Sequence, residues 1–568
     1  MQMTGARILM ECLLEQGVDT VFGYPGGTIL HVYDELYHYR DRIRHILTAH
    51  EQGACHAADG YARTTGRVGV CLATSGPGAT NLVTGIATAY MDSSPVVCLT
   101  CNVDLNLIGK DSFQEADITG VTMPITKCNY LVRDVADLAD TVREAFAIAR
   151  SGRPGPVLID IPRNITEEIA EYAPLPRREH SGAGRLGALV KRSSQNFRAP
   201  EPDAEDVDKL ADMIRAAKKP LLICGGGVVR SRAHRELEAL ANRIDAPVGI
   251  TVMGAGGFRG RNRLITGLVG MHCSQASNMA VDACDLLIAV GCRFSDRVAL
   301  NPASFAQNAK IVQIDIDRSE INKNVETDHH IIGDARRVLE LLLERLEPMA
   351  HEEWKKYVFS FKTETEYDEV ADRMTPIQVL SSVARILPSD TIVSTDVGQH
   401  QMWAIQHLHF DYPGQLVTSG GFGTMGFGLG AAIGAQVGNP KKTVVHLTGD
   451  GSFRMNCAEL ATARYYGLPI ITVIFDNGAL GMVRQWQKLL CGGRYSETTL
   501  DRGPDFVKLA EAYGLEGRRV NSVEEFDTAL IEALERGCGM VIDCAIATDE
   551  LVRPMVNGGG NITEFVID

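Results

Sequence analysis

The sequence predicts an α/β protein of three doubly wound domains with mainly parallel sheets. Three observations carry this. Short β-rich apolar runs alternate with helical stretches along almost the whole chain, the pattern of parallel strands covered by helices. At 568 residues the chain is too long for one hydrophobic core. Two stretches of different composition break the rhythm and divide the chain into thirds.

The first unit, residues 1–170, has strand candidates Val18–Gly23, Arg44–Thr48, Val68–Thr74, Pro95–Thr100 and Pro156–Ile161. Residues 171–203 are rich in Pro, Arg, Ser and Gly with little periodicity and read as a linker. The middle unit, 204–345, offers Pro220–Cys224, Pro247–Thr251, Leu286–Val290 and Lys310–Ile316. A charged and aromatic run, 346–374, reads as a second connector. The last unit, 375–568, has Thr391–Thr395, Leu416–Thr418, Thr443–Thr448, Pro469–Asp476 and Gly539–Cys544. The first and last units share a rhythm without an obvious repeat.

A net charge of −15 gives no basic balance, which argues against a nucleic-acid partner. No apolar run is long enough to suggest a membrane span, and Met1–Arg7 lacks the pattern of a secretory signal. Most of the 14 cysteines, among them Cys71, Cys98, Cys224 and Cys544, sit in apolar runs and read as small core residues, which fits a reducing cytoplasm. Cys98 and Cys101 form a C-x-x-C in a predicted strand, where residues three apart face opposite sides, so joint metal ligation is not expected.

The stretch "LTGDGSFRMN" places Asp450 between two glycines where a buried strand should end. A strand-to-helix turn would use the same residues. A helix over 456–466 and the strand Pro469–Phe475 follow, ending in Asp476-Asn477-Gly478. Strand, helix and parallel strand bring Asp450 and Asn477 to neighbouring carboxyl ends, the edge where open α/β sheets bind ligands. A carboxylate, an amide oxygen and the Ala479 carbonyl are hard ligands of the kind Mg2+ takes beside phosphate oxygens. Gly449 and Gly451 leave backbone N–H groups open to phosphate at a helix start. Gly-Asp-Gly with Asn 27 residues on resembles the thiamine diphosphate (ThDP) motif, although that motif commonly ends Asn-Asn where this chain has Asp476-Asn477. Such an enzyme also needs a carboxylic acid against the cofactor's pyrimidine. Glu51 in "LTAHEQGACHAADGYAR" is the candidate; the competing reading is a capping box from Thr48 to Glu51. The small residues Gly53, Ala54, Ala57, Ala58 and Gly60 suit a helix packed closely against something large.

With these motifs the chain resembles the acetohydroxyacid synthase (acetolactate synthase) catalytic-subunit family over nearly its whole length. The matching runs are "VFGYPGG" at 21–27, "EQGA" at 51–54, "TSGPGATN" at 74–81, "SFQEAD" at 112–117, "GRPGPVLIDIP" at 152–162, "GQHQMWA" at 398–404, "TSGGFGTMGFG" at 418–428 and "GMVRQWQ" at 481–487. The resemblance implies pyrimidine-binding, FAD-binding-like and diphosphate-binding domains in that order. It implies Glu51 as cofactor activator, Asp450, Asn477 and Ala479 as Mg2+ ligands, and Val397, Gly398, Gln399, His400, Gly423, Gly449, Gly451 and Ser452 around the diphosphate. Met425 would lie beneath the cofactor, with Met482 nearby. Tyr24, Gly26 and Gly27 would approach the reacting centre, flanked by Phe113 and Gln114. Trp486 matches the residue that favours 2-ketobutyrate as second substrate, and Arg297 the one that pairs with that substrate's carboxylate. FAD, without redox work, would lie on Arg153, Gly225, Gly226, Gly227, Thr251, Gly270, Met271, His272, Arg293, Asp315 and Asp334.

The implied reaction decarboxylates pyruvate and condenses the product with a second 2-keto acid, pyruvate or 2-ketobutyrate, in branched-chain amino-acid biosynthesis, a catabolic role staying open. The implied assembly is a homodimer or homotetramer with active sites at the subunit interface and a regulatory small subunit as a further partner. A pyruvate oxidase-like flavoenzyme, another ThDP carboligase or decarboxylase, and a non-catalytic paralogue are the alternatives. Departures from the family pattern fall at Thr28, Cys101-Asn102, Ser295, Gly430 and "LLCGG" at 489–493.

Overall fold

The computed structural model describes residues 1–175, 199–362 and 373–566. Most of the run read as the 171–203 linker, residues 176–198, lies outside the described residues, as do 363–372 of the second connector. Within that connector Glu352–Phe359 is a helix, and its buried Trp354 donates to the Pro220 carbonyl at 2.9 Å, so this part packs on the middle unit.

Three six-stranded parallel sheets form the frame. The first runs Arg44–Leu47, Thr20–Gly23, Gly69–Ala73, Val96–Asn102, Val157–Pro162, Cys128–Leu131. The third runs Leu416–Val417, Ile392–Thr395, Val444–Gly449, Ile470–Asp476, Met540–Ala545, Glu516–Val520. In chain order both read 2-1-3-4-6-5, so the shared rhythm reflects one topology used twice. The middle sheet runs Ile265–Leu268, Val248–Ile250, Pro220–Cys224, Leu286–Val290, Lys310–Asp315, His329–Ile332. Its order, 3-2-1-4-5-6, is that of dinucleotide-binding domains. In each sheet the order reverses beside the first strand, and ligands of open α/β sheets bind in the crevice at that point.

The central strands are buried on both faces, which is why they read as continuous apolar runs. Four strands that sequence reasoning missed, Cys128–Leu131, Ile265–Leu268, His329–Ile332 and Glu516–Val520, are all sheet edges. Cys98 and Cys101 enter different core clusters, as their spacing predicts. Cys98 instead meets Cys71 and Cys55, the Cys71 and Cys98 sulfurs 3.3 Å apart, in a fully buried apolar cluster.

Helix Glu51–Thr65 packs on helix Phe427–Gly438 of the third unit. The partner is not large, as its small residues suggested, but a second helix of small residues. A Cβ at Gly60 would lie 2.1 Å from the Ala431 carbonyl oxygen, and one at Gly434 would lie 1.8 Å from that of Ala57. Gly430, a departure from the family pattern, belongs to this seam and faces His56 and Gly53. Gly434→Ala therefore forces two backbones apart. We expect it to destabilise the chain by about 1–3 kcal/mol or more, read as a lowered thermal midpoint.

Candidate active site

The third sheet reverses order between Ile392–Thr395 and Val444–Gly449, and the residues that follow these strands are Asp396-Val397-Gly398 and Asp450-Gly451. The helix after the second strand starts at Asp450 and spans Asp450–Asn456, six residues earlier than the sequence predicts, because Gly449 is its N-cap. A 3-10 turn, Cys457–Glu459, and helix Leu460–Tyr465 continue it. Asp450 is 4% exposed. Burial, and after it the neighbouring Asp476 charge, push its carboxyl up to about 7.

Asn477 is buried, and its Oδ1 accepts from the Ala479 N–H at 3.0 Å. The short ladder with 498–500 uses the Leu480 N–H and the Gly478 carbonyl, which leaves the Ala479 carbonyl outside it. The departure Asp476 is compensated within the chain. Its carboxylate accepts from Arg519 at 2.6 Å, and Arg519 also reaches Asp543 at 2.6 Å. Asp450, Asp476 and Asn477 line a pocket of about 470 Å³.

His400 is buried with no partner on Nε2 among the described residues, and burial pushes its imidazole down to about 4, so it is neutral. A Cβ at Gly449 would sit 3.1 Å from His400 Nδ1, which places the ring beside the phosphate-facing turn. Ser452 donates to the Val397 carbonyl at 3.0 Å. The Gln399 amide is occupied inside the protein: it donates to Gln485 and to the Glu550 carbonyl, and its oxygen accepts from Asn477 at 3.4 Å. Its side chain braces Asn477.

A cleft of about 1040 Å³ lies where the three units meet, lined mainly by the third and middle units. Val397, Gly398, Gly423, Met425, Met482, Trp486 and Arg297 line one part of it, and Arg153, Gly226, Gly227, Thr251, Met271, His272, Arg293, Asp315 and Asp334 line the rest. Gly423, at φ +73°, has only Val397 near a Cβ, 4.0 Å away, and opens on this space. Asp315 ends its strand at the cleft, pushed up to about 6 by burial, and His272 keeps a buried Nδ1 without a partner. Arg297 is two-thirds exposed, within 3.5 Å of the Met271 sulfur.

Other flavin candidates have structural duties. Asp334 caps helix Ala335–Arg345, Thr251 caps a 3-10 turn, and Arg153 pairs with Glu320 at 2.6 Å. Gly225 and Gly270 lie behind the cleft: a Cβ on either would overlap backbone, at Gly291 and Arg297 respectively, about 2.1 Å away.

The first unit holds a separate cluster at its own reversal point, after Thr20–Gly23 and Gly69–Ala73. Glu51, 8% exposed, does not form the capping box. His50 is the N-cap, the Thr48 N–H goes to the Gly23 carbonyl, and the Glu51 carboxylate accepts from Asn81 Nδ2 at 2.9 Å. Asn81, at the end of "TSGPGATN", was missed because nothing local links it to Glu51.

Gly78 leaves room beside that carboxylate, since a Cβ there would stand 3.2 Å from Oε1. Gly26 abuts Thr74, and Gly76 abuts the Gln114 backbone. Gln114 has φ +60°, strain of the kind found at functional loops. Tyr24 and Gly27 are open to the outside, and the neighbouring Phe113 is 86% exposed. The departures Thr28 and Cys101 touch, Thr28 Oγ1 donating to the Cys101 carbonyl at 2.7 Å. None of this cluster lines the cleft of the same chain.

Comparison with known proteins agrees with these three units. Residues 3–121 match the family described as Thiamine pyrophosphate enzyme, N-terminal TPP binding domain, 207–342 match its central domain, and 396–544 its C-terminal TPP binding domain. The chain is 44% identical to the probable acetolactate synthase large subunit of Methanocaldococcus jannaschii, over 99% of this chain and 95% of that protein. It is 44% identical to the acetolactate synthase of Arthrospira platensis, over 100% and 98%. Against the acetolactate synthase isozyme 3 large subunit of Escherichia coli the identity is 41%, over 99% and 98%. Similarity of this extent, end to end and across all three domains, places the chain in the acetolactate synthase large-subunit family of thiamine pyrophosphate enzymes.

Proposed function

We propose that the protein is the catalytic subunit of an acetolactate synthase, which decarboxylates pyruvate and joins the remaining two carbons to a second 2-keto acid. Full-length similarity to acetolactate synthases is the observation that carries this. Thiamine diphosphate, when bound, supplies a nucleophilic carbon and an electron sink for the decarboxylation.

The residues do the rest. Asp450, Asn477 and the Ala479 carbonyl would hold Mg2+, a role supported by the buried Asp450 carboxylate beside Asn477 in one pocket. Neutral His400, with its unpaired nitrogen, and the backbone around Gly398, Gly449 and Gly451 would receive the diphosphate. Met425 and Met482 line the cleft, and Glu51, held by Asn81, would move the activating proton. The dinucleotide topology and the long cleft from Asp315 to Arg293 support FAD on the middle unit.

Glu51 and Asp450 would serve one site only across two chains. Support comes from the pocket that holds Asp450, whose lining among the described residues includes none from the first unit that carries Glu51. The relatives' designation as large subunits supports a smaller partner chain. No helix among the described residues is long and apolar enough to cross a membrane.

The test of the activity is acetolactate formation from pyruvate with ThDP, Mg2+ and FAD added. Rapid product formation is expected, and none would refute the assignment. Arg297 would take the second substrate's carboxylate, and Trp486, packed at the cleft edge against the cluster around Phe294, would bound its alkyl group. Trp486→Leu should lower the preference for 2-ketobutyrate over pyruvate by about 1–3 kcal/mol, read as the product ratio in competition.

A further inference from the structure

We infer that Glu459 is the positioning residue for Glu51: a buried carboxylate of the third unit grips the entry turn of the helix that carries the activator. The inference rests on the reading of Glu51 as the proton-moving group. The N–H groups that lead into a helix have no acceptor within it. Here the His50 N–H donates to Glu459 Oε1 at 3.1 Å and the Ala49 N–H to Glu459 Oε2 at 3.2 Å. Thr462 Oγ1 donates to the same Oε2 at 2.7 Å, so both oxygens are engaged. Glu459 is 1% exposed, and a carboxylate at a helix start is favoured by the helix dipole.

The seat is specific. A Cβ at Gly53 would lie 1.9 Å from Glu459 Oε1, so the absence of a side chain there is what admits the carboxylate. The entry backbone is satisfied from outside the helix, by Gly23 at Thr48 and by Glu459 at Ala49 and His50. The helix therefore starts at Glu51, its first residue and not the third that a capping box needs, and Glu51 turns toward Asn81. The helical run that contains Glu459 begins at Asp450, so the grip on Glu51's helix is anchored to the segment that carries the Asp450 carboxylate.

The test uses the full chain loaded with ThDP, Mg2+ and FAD. It reads the rate at which the reactive-carbon proton of bound ThDP exchanges with deuterium, by acid quench and NMR, together with the ThDP dissociation constant and the thermal midpoint. In Glu459→Gln the amide NH2 must face one of two N–H donors. Exchange is expected to slow about tenfold or more while ThDP affinity stays within about threefold. Exchange at the wild-type rate overturns the inference. Thr462→Val, which removes one bond from the carboxylate and leaves the helix contacts in place, should slow exchange about two- to fivefold. Should Glu459→Gln fail to fold, that variant decides in the same two directions. Glu51→Gln is the control: if it exchanges at the wild-type rate, the reading of Glu51 fails; if it alone is slow, only the role of Glu459 fails.

Discussion

Glu51→Gln is expected to keep ThDP, Mg2+ and FAD bound and to lose acetolactate formation by about 10²–10⁴-fold, the usual span for removing a positioned proton-transfer group. Gln has the same size and can still accept from Asn81, so the buried seat beside Gly78 should hold it. It cannot exchange a proton with a ring nitrogen. The helix should not move, because its entry is held by Glu459 and not by residue 51. The measurement is a paired one, cofactor dissociation constants against turnover. Loss of both together would mean that Glu51 builds the site and does not work in it; loss of neither would remove it from the mechanism.

The second large effect concerns Asp450 and pH. Burial, and after it the Asp476 charge, push its carboxyl up to about 7. A metal must displace the proton, so Mg2+ affinity should fall about tenfold per pH unit below 7 and level off above it. Stability changes in a linked way. The folded value lies above the ordinary 3.8, so this group's contribution to the metal-free fold is complete below about pH 4 and is lost as pH rises through 7. Mg2+ with ThDP removes that penalty, and the rise in thermal midpoint they cause should grow from pH 6 to pH 8. Asp450→Asn should abolish that growth and weaken Mg2+-dependent ThDP binding by at least tenfold. A rise independent of pH in the wild type would show that the carboxylate does not take the metal.

Much of this arrangement was legible beforehand, and the reason is local. Val444–Gly449 and Ile470–Asp476 are buried on both faces, so they read as apolar runs, and the turns at their ends carry Gly449, Asp450 and Asn477. Edge strands such as Glu516–Val520, with two arginines, bury one side at most and give no such run. The residues that reasoning from sequence missed act across long separations. Asn81 reaches Glu51 over 30 positions, Arg519 neutralises Asp476 over 43, and Glu459 grips His50 over 409. None is marked by its neighbours in sequence. The capping-box reading of Thr48 and Glu51 was sound on local grounds and fails because the helix starts at Glu51 with His50 as its N-cap, while the Thr48 N–H goes to the distant Gly23 carbonyl. Glycines carry a second duty that the sequence does not show: a Cβ at Gly225 or Gly227 would meet the backbone at Gly291, 2.1 and 2.6 Å away.

The central proposal is that each active site joins Glu51 of one chain to Asp450 of another. The most direct test mixes two inactive proteins, Glu51→Gln and Asp450→Asn, after dissociation and reassembly. In a mixed dimer one site then carries both substitutions and the other carries neither. Activity should return to about a quarter of wild type at equal proportions. If both groups served a site within one chain, every site would keep one defect, and mixing would restore nothing above the sum of the two parents.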